Sequence, residues 1–470
     1  YIPTYTGPGH TCIYTGSVPA VNGIISNEWF DEKTKAPVYC TSDATVNTVG
    51  GTGVAGKMSP SLLLTSTITD QLQLFTNDKS KVIGIALKDR GAILPAGHMA
   101  DGAYWFDGMN NAWITSSYYM NDVPQWVKTF NATHNANSFL NGTWNLLYNA
   151  DKYSVSNIDN NSWETKSANE TAPVFPHTFV ATNGNTEVIK ATPWGNTFTA
   201  QFAEAAIAGE QMGADSITDF LTVSFSSTDY IGHQYGPTSM EMEDCYLRMD
   251  KDLAGFIHFL DSTIGKANYL LFLTADHGVA LSPDYAKSVG IPAGVIIGTA
   301  LRDSLNSSLQ KTFGTGKWIS AYENQQVYFN DSLLEAKKLT VQDLLTPAIQ
   351  FIMKINGVAN AVPVSQISTA SIPDYQKTIL LNSINPQRSG DIQVILQPGW
   401  FEDRVTGTTH GTFYNYDTHV PLLWYGWKVK HGTDYNNTDV CDISATLAAM
   451  LHINEPNGCF GKPISGLMVH

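Results

Sequence analysis

Five short apolar runs, rich in β-branched residues, limit the possible folds of this chain more than any other feature. Each run is followed by polar, acidic or glycine-rich residues, and stretches of helical length lie between the runs. The runs are Lys81–Leu87, Phe220–Phe225, Tyr269–Thr274, Ile392–Leu396 and Val420–Tyr425. Repetition of strand, polar loop and helix predicts an α/β fold with a mainly parallel central sheet covered by helices on both faces. In such sheets ligands bind outside the carboxyl ends of the strands.

The segments between the runs differ in character. Met240–Leu260 and Asp442–Leu451 are amphipathic and of helical length, as the layers outside a sheet require. Residues 116–193 are instead rich in Asn, Ser, Thr, Trp and Tyr and contain few apolar runs. We therefore expect one catalytic domain over the 470 residues, with 116–193 as an inserted cap.

The charge and composition of the chain disfavour several classes of function. The formal net charge is -15 and no basic stripe is visible, which disfavours nucleic-acid binding. No stretch of 18 apolar residues exists, so no membrane-spanning helix is expected. The Asn-, Ser- and Thr-rich composition with little Lys is common in exported proteins, and we expect a periplasmic or secreted location. An anionic substrate would need local cations, and bound metal ions could supply that charge.

The five cysteines do not form a zinc-binding pattern, because no Cys-x-x-Cys pair occurs. Cys441 and Cys459 lie close together in the sequence. A disulfide between them and a set of buried free thiols are both open interpretations.

Two of the strand ends carry a carboxylate together with an imidazole. Asp229 and His233 follow the second run at a spacing of i and i+4, which places both side chains on one helical face as two ligands for one zinc. Asp276 and His277 end the third run, and Gly278 permits the chain to turn there. The alternative for the second pair is an Asx-turn with a surface histidine.

Two loops add further candidates. Gly407–Gly426 contains His410, which lies between Thr and Gly in a loop, and His419, which adjoins a strand. We favour His410 over His419 as the ligand. His419 is expected either to support a ligand without binding the metal or to pack against the strand. Near the start, Thr4 and Thr6 precede a Gly-Pro-Gly turn and a helix through His10–Tyr14. A hydroxyl at a helix N-terminus is favoured as an alkoxide, although a plain helix cap is the simpler interpretation.

Together these segments resemble the alkaline phosphatase superfamily, and most closely its monomeric, threonine-nucleophile branch, which is related in fold to nucleotide pyrophosphatase/phosphodiesterases. The resemblance runs from Tyr1 to the GKPI sequence near Lys462. The motifs that carry it are PTYT-x-x-GHT with TGSVP, ISNEW, GIALKDRGAILPAGH, STDYIGH, TADHG, and GTTHG with YDTHVPLL downstream.

The resemblance implies a role for each matching residue. The nucleophile falls on Thr6 and the phosphate-contacting amide on Asn27. Lys88 and Arg90 fall on two cations that contact phosphoryl oxygens in the monoesterase branch and are lacking in the diesterase branch. Two zinc ions are implied, with ligand sets that are Asp229, His233 and His410 for one ion and Asp276, His277 and the Thr6 oxygen for the other.

One departure from the family pattern affects the second zinc ion. Relatives supply a further aspartate at the end of a first strand upstream of the nucleophile, and here only Tyr1–Tyr5 precede Thr6. We expect that the first strand and its aspartate precede Tyr1 in a longer protein.

The expected activity is therefore zinc-dependent hydrolysis of phosphate monoesters through a phosphothreonine intermediate, by a monomer acting on small phosphorylated metabolites. A phosphodiesterase or nucleotide pyrophosphatase is the alternative, and Lys88 with Arg90 is the feature that separates the two. A sulfatase fits poorly, because its C/S-x-P-x-R motif is replaced by Thr6-Gly-Pro-Gly. A carbohydrate-binding protein would give no reason for Asp and His at strand ends.

Overall fold

The computed structural model describes residues 1–179 and 184–468, and it confirms the α/β class. The strands are β1 (Glu28–Asp31), β2 (Ala36–Tyr39), β3 (Thr48–Val49), β4 (Val82–Ala86), β5 (Gly102–Asp107), β6 (Ala112–Ser116), β7 (Thr143–Trp144), β8 (His177–Thr178), β9 (Phe220–Ser224), β10 (Leu270–Thr274), β11 (Gly294–Ile296), β12 (Ile319–Glu323), β13 (Gln326–Phe329), β14 (Val358–Pro363), β15 (Ile392–Leu396), β16 (Trp400–Glu402) and β17 (Leu422–Gly426). The α-helices are α1 (Thr6–Thr15), α2 (Pro19–Asn22), α3 (Ile68–Thr76), α4 (Asp89–Ala96), α5 (Gln125–Thr133), α6 (Ala136–Leu140), α7 (Trp194–Glu210), α8 (Ser227–Tyr235), α9 (Met240–Thr263), α10 (Pro283–Ser288), α11 (Gly298–Phe313), α12 (Asp331–Lys337), α13 (Val341–Ile352), α14 (Asp374–Ser383), α15 (Asn415–Thr418) and α16 (Asp442–Leu451).

All five apolar runs form strands, namely β4, β9, β10, β15 and β17, and both amphipathic segments form helices, α9 and α16. The chain divides into two compact units, neither of which is continuous in sequence. The first unit comprises Tyr1–Pro8, Val18–Cys40 and His277–His419. The second unit comprises Gly9–Ser17, Thr41–Asp276 and Val420–His470.

The second unit contains a mixed five-stranded sheet with the order β3-β6-β5-β4-β9. Its parallel part is β4 paired with β5 and β9. The residues of β4 are apolar and all buried, as a central strand covered on both faces requires. β10 pairs antiparallel with β17 in a separate ladder. The ring of Tyr14 on α1 packs on Phe220 of β9 and on Phe272 of β10, so both ladders border one apolar layer.

The first unit has its own antiparallel sheet, with the order β12-β13-β15-β14. This sheet corrects one expectation: Ile392–Leu396 is a strand, as predicted, but it pairs antiparallel with β13 and β14 and does not extend the parallel sheet. Apolar residues of α11 and α13, among them Leu305 and Leu344, share a core cluster with Val394 of β15. The same unit contains a two-stranded parallel ladder of β11 and β16.

The cap predicted over residues 116–193, of which 180–183 lie outside the described residues, contributes more to the core than its composition indicated. Val127, Phe130 and Trp144 are buried in the same cluster as Phe198 and Phe202 of α7. The extent of the cap and the single catalytic domain stay predictions.

The acidic N-terminus of α9 fastens the cap through three carboxylates. Glu241 accepts from His177 Nε2 at 3.0 Å, and Glu243 accepts from the Ser156 amide at 2.9 Å. Asp244, fully buried, accepts from the Trp144 indole at 2.6 Å, from the Leu147 amide at 2.7 Å, and from the Tyr153 hydroxyl and Arg248. Carboxylates in a first helical turn also interact favourably with the helix dipole.

Replacing Asp244 with alanine should lower the free energy of unfolding by about 3–5 kcal/mol, because several buried donors and the Arg248 cation lose their acceptor at once. Urea unfolding followed by circular dichroism measures the change. Asp250→Ala on the exposed side of the same helix is the matched control and should change stability by less than about 0.5 kcal/mol. Equal losses in the two variants would show that Asp244 does not anchor the cap.

The cysteines are free thiols in the structure, so Cys441 and Cys459 are not joined. Cys12, Cys40, Cys245 and Cys441 are buried, and Cys459 is half-buried. The Cys441 thiol lies beside Cys12, and the hydrogen bond between the two thiols, with burial, raises the Cys441 pKa. Among residues 1–179 and 184–468, no helix is both long enough and apolar enough to cross a membrane.

Candidate active site

In the second unit, the two predicted cations, Lys88 and Arg90, follow the end of β4. Lys88 is the N-cap residue of α4 and is buried, and Arg90 lies in the first turn of that helix, half-buried. The Lys88 ammonium forms an ion pair with Asp229 Oδ2 and lies 4.7 Å from the centre of the Tyr230 ring. The aromatic ring and the carboxylate together fix a cation at the carboxyl end of the parallel strands.

The end of β9 leads directly into α8, which carries the first carboxylate–imidazole pair. Asp229 and His233 lie on one face of α8, as the i, i+4 spacing predicted, with Asp229 Oδ1 at 3.4 Å from His233 Nε2. Both side chains are about one-fifth exposed, so they can be reached from outside the helix. At this separation the two atoms are close enough to bind the same metal ion.

The end of β10 leads to Asp276, and here the structure adds a residue that we did not predict. His10 Nδ1 lies 3.3 Å from Asp276 Oδ2, and its Nε2 lies 3.1 Å from Ser224 Oγ at the end of β9. His10 thus links the ends of β9 and β10. The signal available in the sequence was the GHT motif, which places His10 four residues after Thr6 on the same helix.

In the first unit, Thr6 is the first residue of α1 and is 3% exposed. The Gly-Pro-Gly sequence is not a turn before the helix, as we expected, but forms its first turn. Proline fits there because the first amides of a helix have no intrahelical acceptor. The Thr6 hydroxyl therefore lies at the positive end of the helix dipole.

Asn27 is held beside this helix start. Its Oδ1 accepts from the Gly7 amide at 2.8 Å, so the side-chain NH₂ group is the part of Asn27 that can donate to a ligand. Glycine at position 7 suits this close approach, since a Cβ there would lie 3.2 Å from Asn27 Oδ1 and 3.3 Å from Cys40 Sγ and would press on both atoms.

Thr4, which lies just before Thr6, forms hydrogen bonds with the loop that contains His410. His410 Nδ1 donates to the Thr4 carbonyl at 2.6 Å. The Thr4 hydroxyl donates to the Thr412 carbonyl at 2.8 Å and accepts from the Gly411 amide at 3.1 Å. A carbonyl can only accept, so the His410 Nδ1 carries a hydrogen, and in the neutral ring the lone pair therefore lies on Nε2.

His277 lies against His410, with ring centroids 3.5 Å apart and planes 19° from parallel. His277 Nδ1 donates to the Gly278 carbonyl at 2.9 Å, which again leaves the ring lone pair on Nε2. Gly278 is required for a reason that the sequence did not reveal: a Cβ there would lie 2.2 Å from the Tyr416 carbonyl oxygen. His419 is exposed at the end of α15, whereas His410 is buried.

The residues present fit a zinc site by their chemistry. Imidazole nitrogens and carboxylate oxygens are a usual zinc donor set. A ligating histidine commonly donates its second ring N–H to a backbone carbonyl, which is what both His277 and His410 do.

Comparison with known proteins identifies a matching family and several relatives of this chain. The family model described as type I phosphodiesterase / nucleotide pyrophosphatase matches residues 1–420. A protein of Myroides odoratus named calcium-transporting ATPase is 46% identical over 99% of this chain and 86% of its own length. Alkaline phosphatase PhoV of Synechococcus elongatus is 43% identical over 100% of this chain and 85% of its own length.

Alkaline phosphatase PafA of Elizabethkingia meningoseptica is 43% identical over 99% of this chain and 86% of its own length. The crystal structure of wild-type PafA matches this structure with a TM-score of 0.97, covering 100% of this chain and 90% of the PafA chain.

Proposed function

Because this chain belongs to the type I phosphodiesterase / nucleotide pyrophosphatase family, within the alkaline phosphatase superfamily, we propose that it hydrolyses phosphate monoesters and releases inorganic phosphate. The enzyme class, alkaline phosphatase, follows from 43% identity over the full chain to PhoV and PafA. The observation that carries the proposal is the Lys88 ammonium fixed beside Asp229 at the end of the parallel strands, with Arg90 in the adjoining first turn of α4.

The proposal includes two zinc ions. One would be held by Asp229, His233 and His410, and the other by Asp276, His277 and the Thr6 oxygen. When bound, the zinc ions lower the pKa of the Thr6 hydroxyl and stabilise charge on the attacking and leaving oxygens. The His277 and His410 tautomers, both with the lone pair on Nε2, and the paired Asp229 and His233 support this assignment.

In the proposed reaction, Thr6 loses its hydroxyl proton to solvent and Thr6 Oγ attacks phosphorus in line. A bond forms between Thr6 Oγ and phosphorus as the bond from phosphorus to the ester oxygen breaks, and the departing alkoxide takes a proton from solvent. Water then attacks phosphorus as the bond from phosphorus to Thr6 Oγ breaks. Thr6 Oγ takes a proton from the water, and phosphate is released. The transition state is loose, so the protein mainly positions groups and stabilises charge.

The non-bridging oxygens are bound by Asn27, Lys88 and Arg90. The Asn27 NH₂ group donates one hydrogen bond, since its Oδ1 is used by Gly7. The Arg90 guanidinium can bind two oxygens at once. Two fixed cations match a monoester dianion, and this local positive charge offsets the formal net charge of -15. A phosphodiesterase is the alternative that the family description favours, and it would need the second cation less.

We further propose that the substrates are small phosphorylated metabolites, that the enzyme acts as a monomer, and that it works in the periplasm or outside the cell. The 43% identity to PhoV and PafA over nearly the whole chain supports an alkaline phosphatase.

The test of the metal assignment is zinc content measured on purified variants. The wild-type protein should hold two zinc ions, and dialysis against a chelator should lower monoesterase activity at least ~10³-fold, with recovery on adding zinc. Asp229→Ala and His410→Ala should each lose the same single ion, because both residues are assigned to one site. Exposed His419→Ala is the control and should keep both ions. Monoesterase activity that persists without zinc would refute the proposal.

A further inference from the structure

The fold contains a buried carboxylate, Asp417, to which we assigned no role and which contacts both histidine loops of the first unit. Asp417 lies on α15 and is fully buried. Its Oδ2 accepts three hydrogen bonds, from the Gly411 amide at 3.1 Å, the Thr412 amide at 2.7 Å and the Thr412 hydroxyl at 2.6 Å. Its own carbonyl accepts from the Gly278 amide at 2.7 Å.

Two of these hydrogen bonds are donated by the residues that directly follow the two histidines, namely Gly278 after His277 and Gly411 after His410. The Gly278 peptide is held at both ends, because its N–H donates to the Asp417 carbonyl while its carbonyl accepts from His277 Nδ1 at 2.9 Å. The Gly411 amide, held by Asp417 Oδ2, is the first peptide group after His410. A second backbone bond, from Val279 to the Tyr416 carbonyl at 2.8 Å, keeps the His277 loop against α15.

The result is a fixed pair of rings. His277 and His410 stack with centroids 3.5 Å apart, and each ring has its lone pair on Nε2. Asp417 touches neither ring as a ligand would. It holds instead the two backbone segments from which the rings project. Its carboxylate accepts from three donors, and one of them, the Gly411 amide, also donates to the Thr4 hydroxyl.

We propose that Asp417 is a positioning residue that sets the separation of His277 and His410 and thereby the affinity of both zinc ions. This inference rests on the proposed function. The carboxylate acts through the hydrogen bonds to Gly411 and Thr412, and its carbonyl acts through Gly278. A change at Asp417 therefore disturbs metal binding before it disturbs the chemistry of Thr6, Lys88 or Arg90.

The experiment compares Asp417→Asn with Asp391→Asn. Asparagine keeps the shape of the side chain and an acceptor oxygen, but it loses the charge that strengthens the three hydrogen bonds. Asp391 is the matched control: it is a partly buried carboxylate of the same unit that accepts from the Phe329 amide at 2.8 Å, in the β12–β15 sheet. Zinc dissociation constants of the metal-free proteins are measured by competition with a chromogenic chelator, and kcat and KM are measured at low and at saturating zinc.

Asp417→Asn should weaken zinc binding about 10- to 100-fold, and excess zinc should restore most of kcat. Asp391→Asn should bind zinc as the wild type does. Thr412→Val removes one donor to Asp417 and should shift zinc affinity in the same direction by a smaller factor, which keeps the test valid if Asp417→Asn does not fold. Zinc affinity of Asp417→Asn and of Thr412→Val within twofold of wild type would overturn the inference. A wild-type protein that binds no zinc would instead overturn the proposed function.

Discussion

Replacing Thr6 with alanine lowers kcat/KM for a phosphate monoester by about 10³-fold or more, because the variant has no oxygen to form the covalent intermediate. The hydroxyl lies at the start of α1, where the helix dipole favours negative charge, and it is almost fully shielded from solvent. Steady-state rates with an aryl phosphate measure the loss. Acid quenching of the wild type during turnover should trap phosphate on the peptide that contains Thr6.

The matched control is Thr15→Ala, the same substitution at the other end of the same helix. The Thr15 hydroxyl donates to the Thr11 carbonyl at 2.6 Å and takes part in no proposed step, so its removal should change kcat/KM by less than about tenfold. Thr6→Ser should retain turnover, because it keeps a hydroxyl in place. A Thr6→Ala variant within tenfold of wild type, or phosphate trapped elsewhere, would contradict the nucleophile assignment.

The five strands and the helical segments that we predicted could be found in the sequence because the signal for each one is local. Val82–Ala86 and Leu270–Thr274 are short, apolar and bounded by polar residues, a pattern that favours a strand at that length. The pairing of strands was less accessible. Ile392–Leu396 has the same composition as a parallel strand, yet its partners are β13 and β14, and no local pattern encodes a partner tens of residues away.

In the candidate site, too, some residues could be found from local sequence patterns and others could not. Asp229 and His233 could be found because the i, i+4 spacing is itself the geometry. His10 was missed because its partner Asp276 is distant in sequence. Asp417 was missed because its carboxylate accepts from the backbone amides of Gly411 and Thr412, which no sequence pattern marks. The Gly-Pro-Gly sequence was taken as a turn because both residue types break helices, but that rule does not hold in the first turn, where the amides need no partner.

The other large effect concerns the choice between monoesters and diesters. Lys88→Ala combined with Arg90→Ala should lower kcat/KM for a monoester by roughly 10²–10⁴-fold, since a hydrogen bond to a charged group contributes about 1.5–3 kcal/mol and about 1.4 kcal/mol is tenfold. A diester carries one negative charge fewer and should lose about tenfold. The ratio of the two rates, measured with an aryl phosphate and its methyl ester, reports the selectivity directly.

The two cations are not equivalent in this respect. Lys88 also pairs with Asp229, a proposed zinc ligand, so Lys88→Ala should reduce the rates with both substrates, whereas Arg90→Ala should reduce mainly the monoester rate. Lys81→Ala at the opposite end of β4, where the ammonium bonds to the Glu210 carbonyl, is the control and should leave the ratio unchanged. Equal losses on monoester and diester in Arg90→Ala would mean that selectivity does not come from this cation. The phosphodiesterase alternative would then be the better description, because only a monoesterase needs a second fixed charge for the additional phosphoryl oxygen.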